Sequence, residues 1–221
     1  MSTDKYLGRP IKRVEDPRLL KGIATYVDDM RPANMLHAAF VRSPHAHARV
    51  AGINAEAARA LPGVVAVFTG ADVNQHCGNV PCAAEIPGLK APAHTVLAGS
   101  RVYFVGHPVA VVVAADRYVA ADAVDLVEVD YDPLPVNTDP EAALADGAPL
   151  THPDLGTNVA FTWSLTTGDD AELERLFKQA DKVVRQRLVH QRLTPMAMEP
   201  RAVLASYNLS LIHISEPTRP Y

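Results

Sequence analysis

The sequence predicts a mixed α/β (α+β) fold built from short elements, on three observations. Residues 109–131 read as strand, helix and strand in succession, and residues 49–69 repeat that order. The 18 prolines among 221 residues are spread as punctuation between elements, which marks many sharp boundaries rather than a low-complexity tract.

The chain opens on a charged arm reaching to about Leu20, in which Pro10 and Pro17 disfavour helix at the residues before them and predict extended backbone. Strands are predicted at Leu36–Arg42 and Ala48–Ile53, with Ser43-Pro44 as the turn signal between them. Asn54 stands as the cap of a short helix over Ala55–Leu61, stopped by Pro62-Gly63, and Val64–Thr69 is the next strand. Residues 74–100 are rich in Gly, Pro and small side chains without a sustained period, as a long functional or mobile loop would be.

Val109–Ala114 is a nearly continuous apolar run with three successive valines, as a buried strand would be. Asp116 then stands where a helix N-cap belongs, its carboxylate able to accept from the free N–H groups of the first turn. From Arg117 to Leu126 the polar Arg117, Asp122 and Asp125 fall on one side, and Ala120, Ala123, Val124 and Val127 on the other. Val127–Tyr131 switches to period two, and Pro133 closes the strand. The two strand–helix–strand stretches share a pattern without sequence identity, a pseudo-repeat of architecture only.

Residues 133–149 read as a linker carrying a short helix near Pro140–Ala145, with a domain boundary placed here. Beyond Leu150, Asp169 and Asp170 cap a helix from Ala171 to about Ala180 whose Leu173, Leu176, Phe177 and Ala180 share a face. Lys182–Leu193 is basic and predicted to be a partly exposed strand, and 196–207 the start of another. Too few elements follow Leu150 to close a domain, so the sequence is expected to be incomplete at its C-terminus.

Composition bounds the function. Hydrophobic content of 48% and charged content of 21% are ordinary for a soluble globular protein. A net charge of -4 gives no basic footprint for nucleic acid or an anionic membrane. No apolar stretch approaches the roughly 20 residues that span a bilayer, and the N-terminus has no secretory signal. Two cysteines are too few for a disulfide framework and fit a cytoplasmic setting.

The candidate chemistry is sparse. His45 and His47 could share a face as two metal ligands, but no spacing supplies a third, and a polar turn after Ser43-Pro44 is the preferred reading. Cys77 and Cys82, with His76 adjacent, lack the spacing of a metal site and read as two free thiols. Glu199 with Arg201 reads as an ion pair fixing a turn before it reads as an active-site pair. The acidic run Asp122–Asp132 is turned outward by its helix and strand periods, as a solvated face. Glycine-rich phosphate loops and nucleophile elbows are missing from the sequence.

Four ordered stretches carry a resemblance. They are Gly8–Gly22 (GRPIKRVEDPRLLKG) with Tyr26–Asp29, then Phe40–Arg49 (FVRSPHAHAR), then Gly106-His-Pro-Val-Ala on to Glu128–Pro135 (EVDYDPLP), and Gln191–Arg201 (QRLTPMAMEPR). Together they resemble the molybdopterin-binding large subunit of the xanthine dehydrogenase and aldehyde oxidase family, with a carbon-monoxide-dehydrogenase-like look. The resemblance implies an arm over 1–19, an α/β hammerhead domain over 20–132, a linker over 133–149 and the truncated start of a molybdopterin-binding domain over 150–208.

It further implies a molybdenum ion on molybdopterin, as the cytosine dinucleotide, that hydroxylates a carbon centre of a small-molecule substrate with oxygen from water. Electrons would leave through the 2Fe-2S clusters of a small subunit to FAD on a medium subunit, in a dimer of heterotrimers. The family's base glutamate and pterin loops fall beyond residue 221, so no catalytic, cofactor-binding or metal-ligating residue is assigned, and the fragment itself is expected to be inactive. His107 stands where many relatives have glutamate or glutamine. Residues 209–221 depart from the family and read as translated adapter sequence, left out of the fold. The rival reading is a free-standing hammerhead-like scaffold or interaction module without catalysis.

Overall fold

The computed structural model describes residues 8–207 apart from 83, 85, 166, 192, 195 and 198–200. The chain divides into two compact units, one formed by 34–183 and the other by the residues on either side of it.

Among its described residues the flanking unit holds helix α1 (Asp16–Leu20), with Pro17 in its first turn, and a 3₁₀ turn at Val27–Asp29. The arm is therefore not extended over these residues. Proline restricts the residue before it, but in a first turn its missing N–H is one that no helix would use. The predicted strand at Lys182–Leu193, which runs across both units, is not formed. Its described residues are exposed and in no regular element, and the described part of 196–207 forms only one bridge, at Tyr207. An extended segment without a ladder partner has nothing to offset the entropy of ordering it.

Among its described residues the 34–183 unit contains six strands: β1 (His37–Arg42), β2 (Ala48–Asn54), β3 (Val64–Thr69), β4 (Arg101–Val102), β5 (Pro108–Ala114) and β6 (Glu128–Pro133). They form two antiparallel three-stranded sheets, in the orders β1-β5-β3 and β4-β2-β6. The chain changes sheet at every step, so no two consecutive strands are paired. Helix α2 (Glu56–Ala60) lies on the crossing from β2 to β3. Helix α3 (Gly70–Val73) follows β3, and α4 (Arg117–Asp125) lies on the crossing from β5 to β6. Both predicted strand–helix–strand stretches exist, and each carries the chain from one sheet to the other.

Central strand β5 explains the core. Ala110, Val112 and Ala114 are wholly buried on its inner face. There Val112 joins Val41 and Val67 of the flanking strands, and Ala58 and Ala123 from α2 and α4. Alanine at 58, 120 and 123 lets the helices lie close to the sheet. Val111 and Val113, on the opposite face, are only half-buried. Val109, at the start of the run, is wholly buried in a second cluster with Ala48, Ala98 and Val102, and only from Ala110 onward is the run buried on one side. Val111 instead sits between Phe40 and Phe68 in register, with the Arg42 guanidinium 5.5 Å from the centre of the Phe40 ring.

The caps follow their chemistry. Asp116 accepts from the N–H groups of Tyr118 at 2.8 Å and Val119 at 2.9 Å, as predicted. Asn54 accepts from Glu56 N–H at 3.1 Å, although Ala55 holds the N-cap position itself. Asp72 accepts from the N–H and then the hydroxyl of Thr69, both at 2.8 Å, which holds its carboxyl below the usual range. This box opens α3 directly after β3. Gly70 is required there, since a Cβ would lie 2.2 Å from the carbonyl oxygen of Ala98.

Strand β6 runs two residues past its predicted end, with Pro133 opposite Ala48. β6 is an edge strand, where a missing N–H costs the ladder little. The 133–149 stretch lies within this unit and forms a 3₁₀ turn at Ala142–Leu144. Helix α5 (Asp170–Gln179) begins where Asp169 accepts from Ala171 N–H at 2.9 Å, and buries none of its residues.

Candidate functional site

The residues singled out in the sequence do not gather. His45 folds into the turn after Ser43-Pro44, its N–H donating to Ser43 Oγ at 3.0 Å, and its ring meets Tyr131 at 5.0 Å. His47 is buried and its ring turns instead to Tyr103, 5.8 Å away. The His47 Nδ1 lies 2.8 Å from the carbonyl of Pro135, so Nδ1 carries the proton, and Nε2 is left buried without a partner. His47 also accepts at its own carbonyl from Leu134 N–H at 3.0 Å, which pins the chain leaving β6.

His76, Cys77 and Cys82 are exposed, with both thiols free. The carboxylates from Asp122 to Asp132 are exposed. Arg201 is exposed, and Glu199 lies outside the described residues. Among the described residues no group of three or more His, Cys, Asp and Glu side chains could hold a metal ion.

What the fold does bring together is a ring of imidazoles and aromatic side chains around β4. A cleft of about 340 Å³ opens between the chain at 92–107 and the turn at Thr151-His152. Its position follows from the stitching of the long loop. Asn74, at the end of α3, donates to the Leu97 carbonyl at 2.9 Å and accepts from Leu97 N–H at 3.3 Å. Ala98 N–H donates to Pro108 at 2.8 Å. The end of the irregular loop is thereby hydrogen-bonded to the end of α3 and to the start of β5.

Two stacks wall the cleft. Phe104 lies against His107 with centroids 4.5 Å apart and planes 11° from parallel, and His94 stands 5.9 Å from His107. Tyr103 stacks on His152 at 4.2 Å. His107 is 4% exposed. Its Nδ1 accepts from Tyr103 N–H at 3.2 Å, so the neutral ring carries its proton on Nε2, and that N–H is buried without a protein partner. An unmatched buried donor costs about 1–3 kcal/mol.

The protonation of the ring agrees. Burial, then the neighbouring His94, lowers the pKa of His107. His152 is lowered by burial and then by His47, against a smaller opposing pull from Asp154. Burial raises Tyr131, with a smaller opposing effect from Ser43, whose hydroxyl is close without closing a hydrogen bond of normal geometry. The cleft offers hydrogen bonding and stacking. Among the described residues that line it, no hydrogen bond joins a hydroxyl to an imidazole.

Sequence reasoning singled out His107 only as a position of subtype variation and missed the cluster, because His94, His107 and His152 belong to no local motif.

The comparisons with known proteins fit this architecture. Residues 21–135 match the family model of the aldehyde oxidase and xanthine dehydrogenase a/b hammerhead domain. The chain is 40% identical to the carbon monoxide dehydrogenase large chain of Afipia carboxidovorans, over 90% of this chain and 25% of that one. It is 38% identical to the xanthine dehydrogenase molybdenum-binding subunit of Escherichia coli O157:H7, over 71% of this chain and 21% of that one. The structure superposes on quinoline 2-oxidoreductase from Pseudomonas putida 86 with a TM-score of 0.72 at 39% identity, covering 80% of this chain and 22% of that one. The chain thus spans about a quarter of the length of the curated relatives it matches. With two antiparallel sheets over the matched residues, and that match reaching across more than half of its length, the chain belongs to the aldehyde oxidase and xanthine dehydrogenase family, and carries its α/β hammerhead domain.

Proposed function

We propose that this chain is the N-terminal part of the large subunit of a molybdenum hydroxylase, which oxidises a carbon centre of a small molecule using oxygen from water. The match over 21–135 carries this reading, together with likeness to relatives named as carbon monoxide dehydrogenase and xanthine dehydrogenase large subunits. On this reading the complete subunit holds molybdenum on molybdopterin cytosine dinucleotide. It passes electrons to an iron–sulfur subunit and an FAD subunit, as a dimer of heterotrimers in the cytoplasm. No helix among the described residues is long and apolar enough to cross a membrane.

The residues in hand do not fit the metal: among those described, no three ligating side chains converge. Residues 20–132 then serve as hammerhead scaffold after an arm at 1–19. The 133–149 stretch leads to the start of the molybdopterin-binding domain at 150–208, and 209–221 is foreign to the family. The catalytic groups lie outside this chain, which is inactive by itself.

Elemental analysis tests the assignment. The purified chain should hold no stoichiometric molybdenum, while the subunit expressed from the uninterrupted gene should hold one per chain. Stoichiometric metal in the short chain would move the site into it. A gene that ends with the hammerhead would favour a free-standing scaffold.

A further inference from the structure

We propose that a neutral His107, acting through Tyr103, holds the turn at 151–155 beside β4, and that proton uptake by His107 releases it while the sheets stay closed. The stretch 137–158 is tied to itself by two asparagines. Asn137 donates to Thr151 Oγ1 at 3.1 Å, and Asn158 accepts from Thr151 N–H and donates to the Ala143 carbonyl, both at 3.0 Å. It meets the chain just past β4 through a stack, the rings of His152 and Tyr103 lying 4.2 Å apart.

His107 in turn fixes Tyr103. Its ring is buried, and its Nδ1 accepts from Tyr103 N–H at 3.2 Å. Only a neutral ring can do this, since protonation puts a donor at Nδ1, facing the donor it now binds. Nε2–H is already buried without a partner, so the charged ring would carry two unmatched donors. No neighbour offsets that charge. His94 stands 5.9 Å away, His47 and His152 stack on Tyr103, Arg101 lines the same cleft, and Arg42 donates to the Gly106 carbonyl at 2.9 Å. Asp154 acts on His152, and no carboxylate lines the cleft. Burial, then His94, lowers the pKa of His107 below the ordinary 6.5. A protonated ring must therefore turn out of its stack with Phe104, and Tyr103 N–H loses its acceptor. The start of β5 does not depend on the ring. Ser43 N–H donates to the His107 carbonyl at 2.9 Å, and Gly106 N–H donates to that of Ser43 at 2.8 Å.

Amide hydrogen exchange followed by two-dimensional NMR on the whole chain, from pH 7.5 to 5, reads the release without molybdenum and apart from the proposed reaction. The protection factor of Tyr103 should fall at least about tenfold, the equivalent of one lost hydrogen bond. The His152 ring protons should move toward unstacked shifts over the same range. Val112, in the centre of β5, should keep its protection to within about threefold. His107→Asn, whose side-chain oxygen can accept from Tyr103 and takes up no proton, should hold Tyr103 protected throughout. His152→Phe, which keeps the stack, should leave the Tyr103 transition in place. If His107→Asn does not fold, the midpoint of the Tyr103 transition in the unaltered chain must match the titration of the His107 ring protons. Steady Tyr103 protection, a transition that persists in His107→Asn or vanishes in His152→Phe, mismatched midpoints, or loss of Val112 protection in step would overturn the assignment.

Discussion

Helices α4 and α5 are nearly equal in length, nine and ten residues, and each starts at an aspartate that accepts from its first turn. α5 has the cleaner apolar stripe, yet Leu173, Leu176 and Phe177 are 53%, 50% and 53% exposed. α4 presents little more than alanine to its neighbours, and Ala120 and Ala123 are buried against the sheet. An amphipathic pattern therefore states which face a helix offers. Whether that face is buried depends on what stands opposite. Small side chains on α4 admit the close approach, and strands β1 and β5 are there to receive it.

Placing a charge on each apolar face tests the contrast most severely. Ala123→Glu would bury an unpaired carboxylate under the sheet and should cost about 4 kcal/mol or more, enough to abolish a cooperative thermal transition. Leu176→Glu should change stability by no more than about 0.5 kcal/mol. A loss above about 1 kcal/mol in the second variant would mean that α5 is packed in solution, and the contrast would fail.

The caps sharpen it further. Asp116→Ala should lower global stability by about 1 kcal/mol in chemical denaturation, because α4 is part of the core. Asp169→Ala should lower helical circular dichroism while leaving the denaturation midpoint in place. Equal shifts of the midpoint would show that both helices unfold with the core.

A proton gives the smallest effect. His107 and His152 both titrate below the ordinary value of 6.5 in the fold. Below that value the unfolded chain binds more protons than the folded one, so stability is complete above about pH 6.5 and is lost as pH falls toward the lowered values. The melting temperature should decline between pH 7 and 5, and His107→Phe should flatten the decline. A slope unchanged in that variant would assign the effect to other groups.

Local chemistry was legible in the sequence and pairing was not. Asp116, the valine run before it and the helical period after it can be read within a few residues, and each was found where expected. The Thr69 and Asp72 box is equally local and still went unpredicted, since Gly70 between them is a poor helix former. Only the proximity of Ala98 explains that glycine. Lys182–Leu193 has the composition of a strand and lacks a partner, which no local reading can supply. The cleft was hidden for the same reason. Its histidines come from an irregular loop, the start of β5 and a turn beyond β6, and only the sheet order brings them together.

The alternation of strands between the two sheets has a consequence for how the hammerhead comes apart. With no hairpin inside either sheet, no ladder can close before a distant part of the chain returns. Each strand from β2 to β5 is joined at both ends to strands of the other sheet, so opening one sheet pulls on the connections of its neighbour. The amides of β2 and β5, central strands of different sheets, should therefore exchange with solvent through one shared opening event, as a single foldon. Assembly should be slow for a domain of this size, since every pairing must first close a long loop.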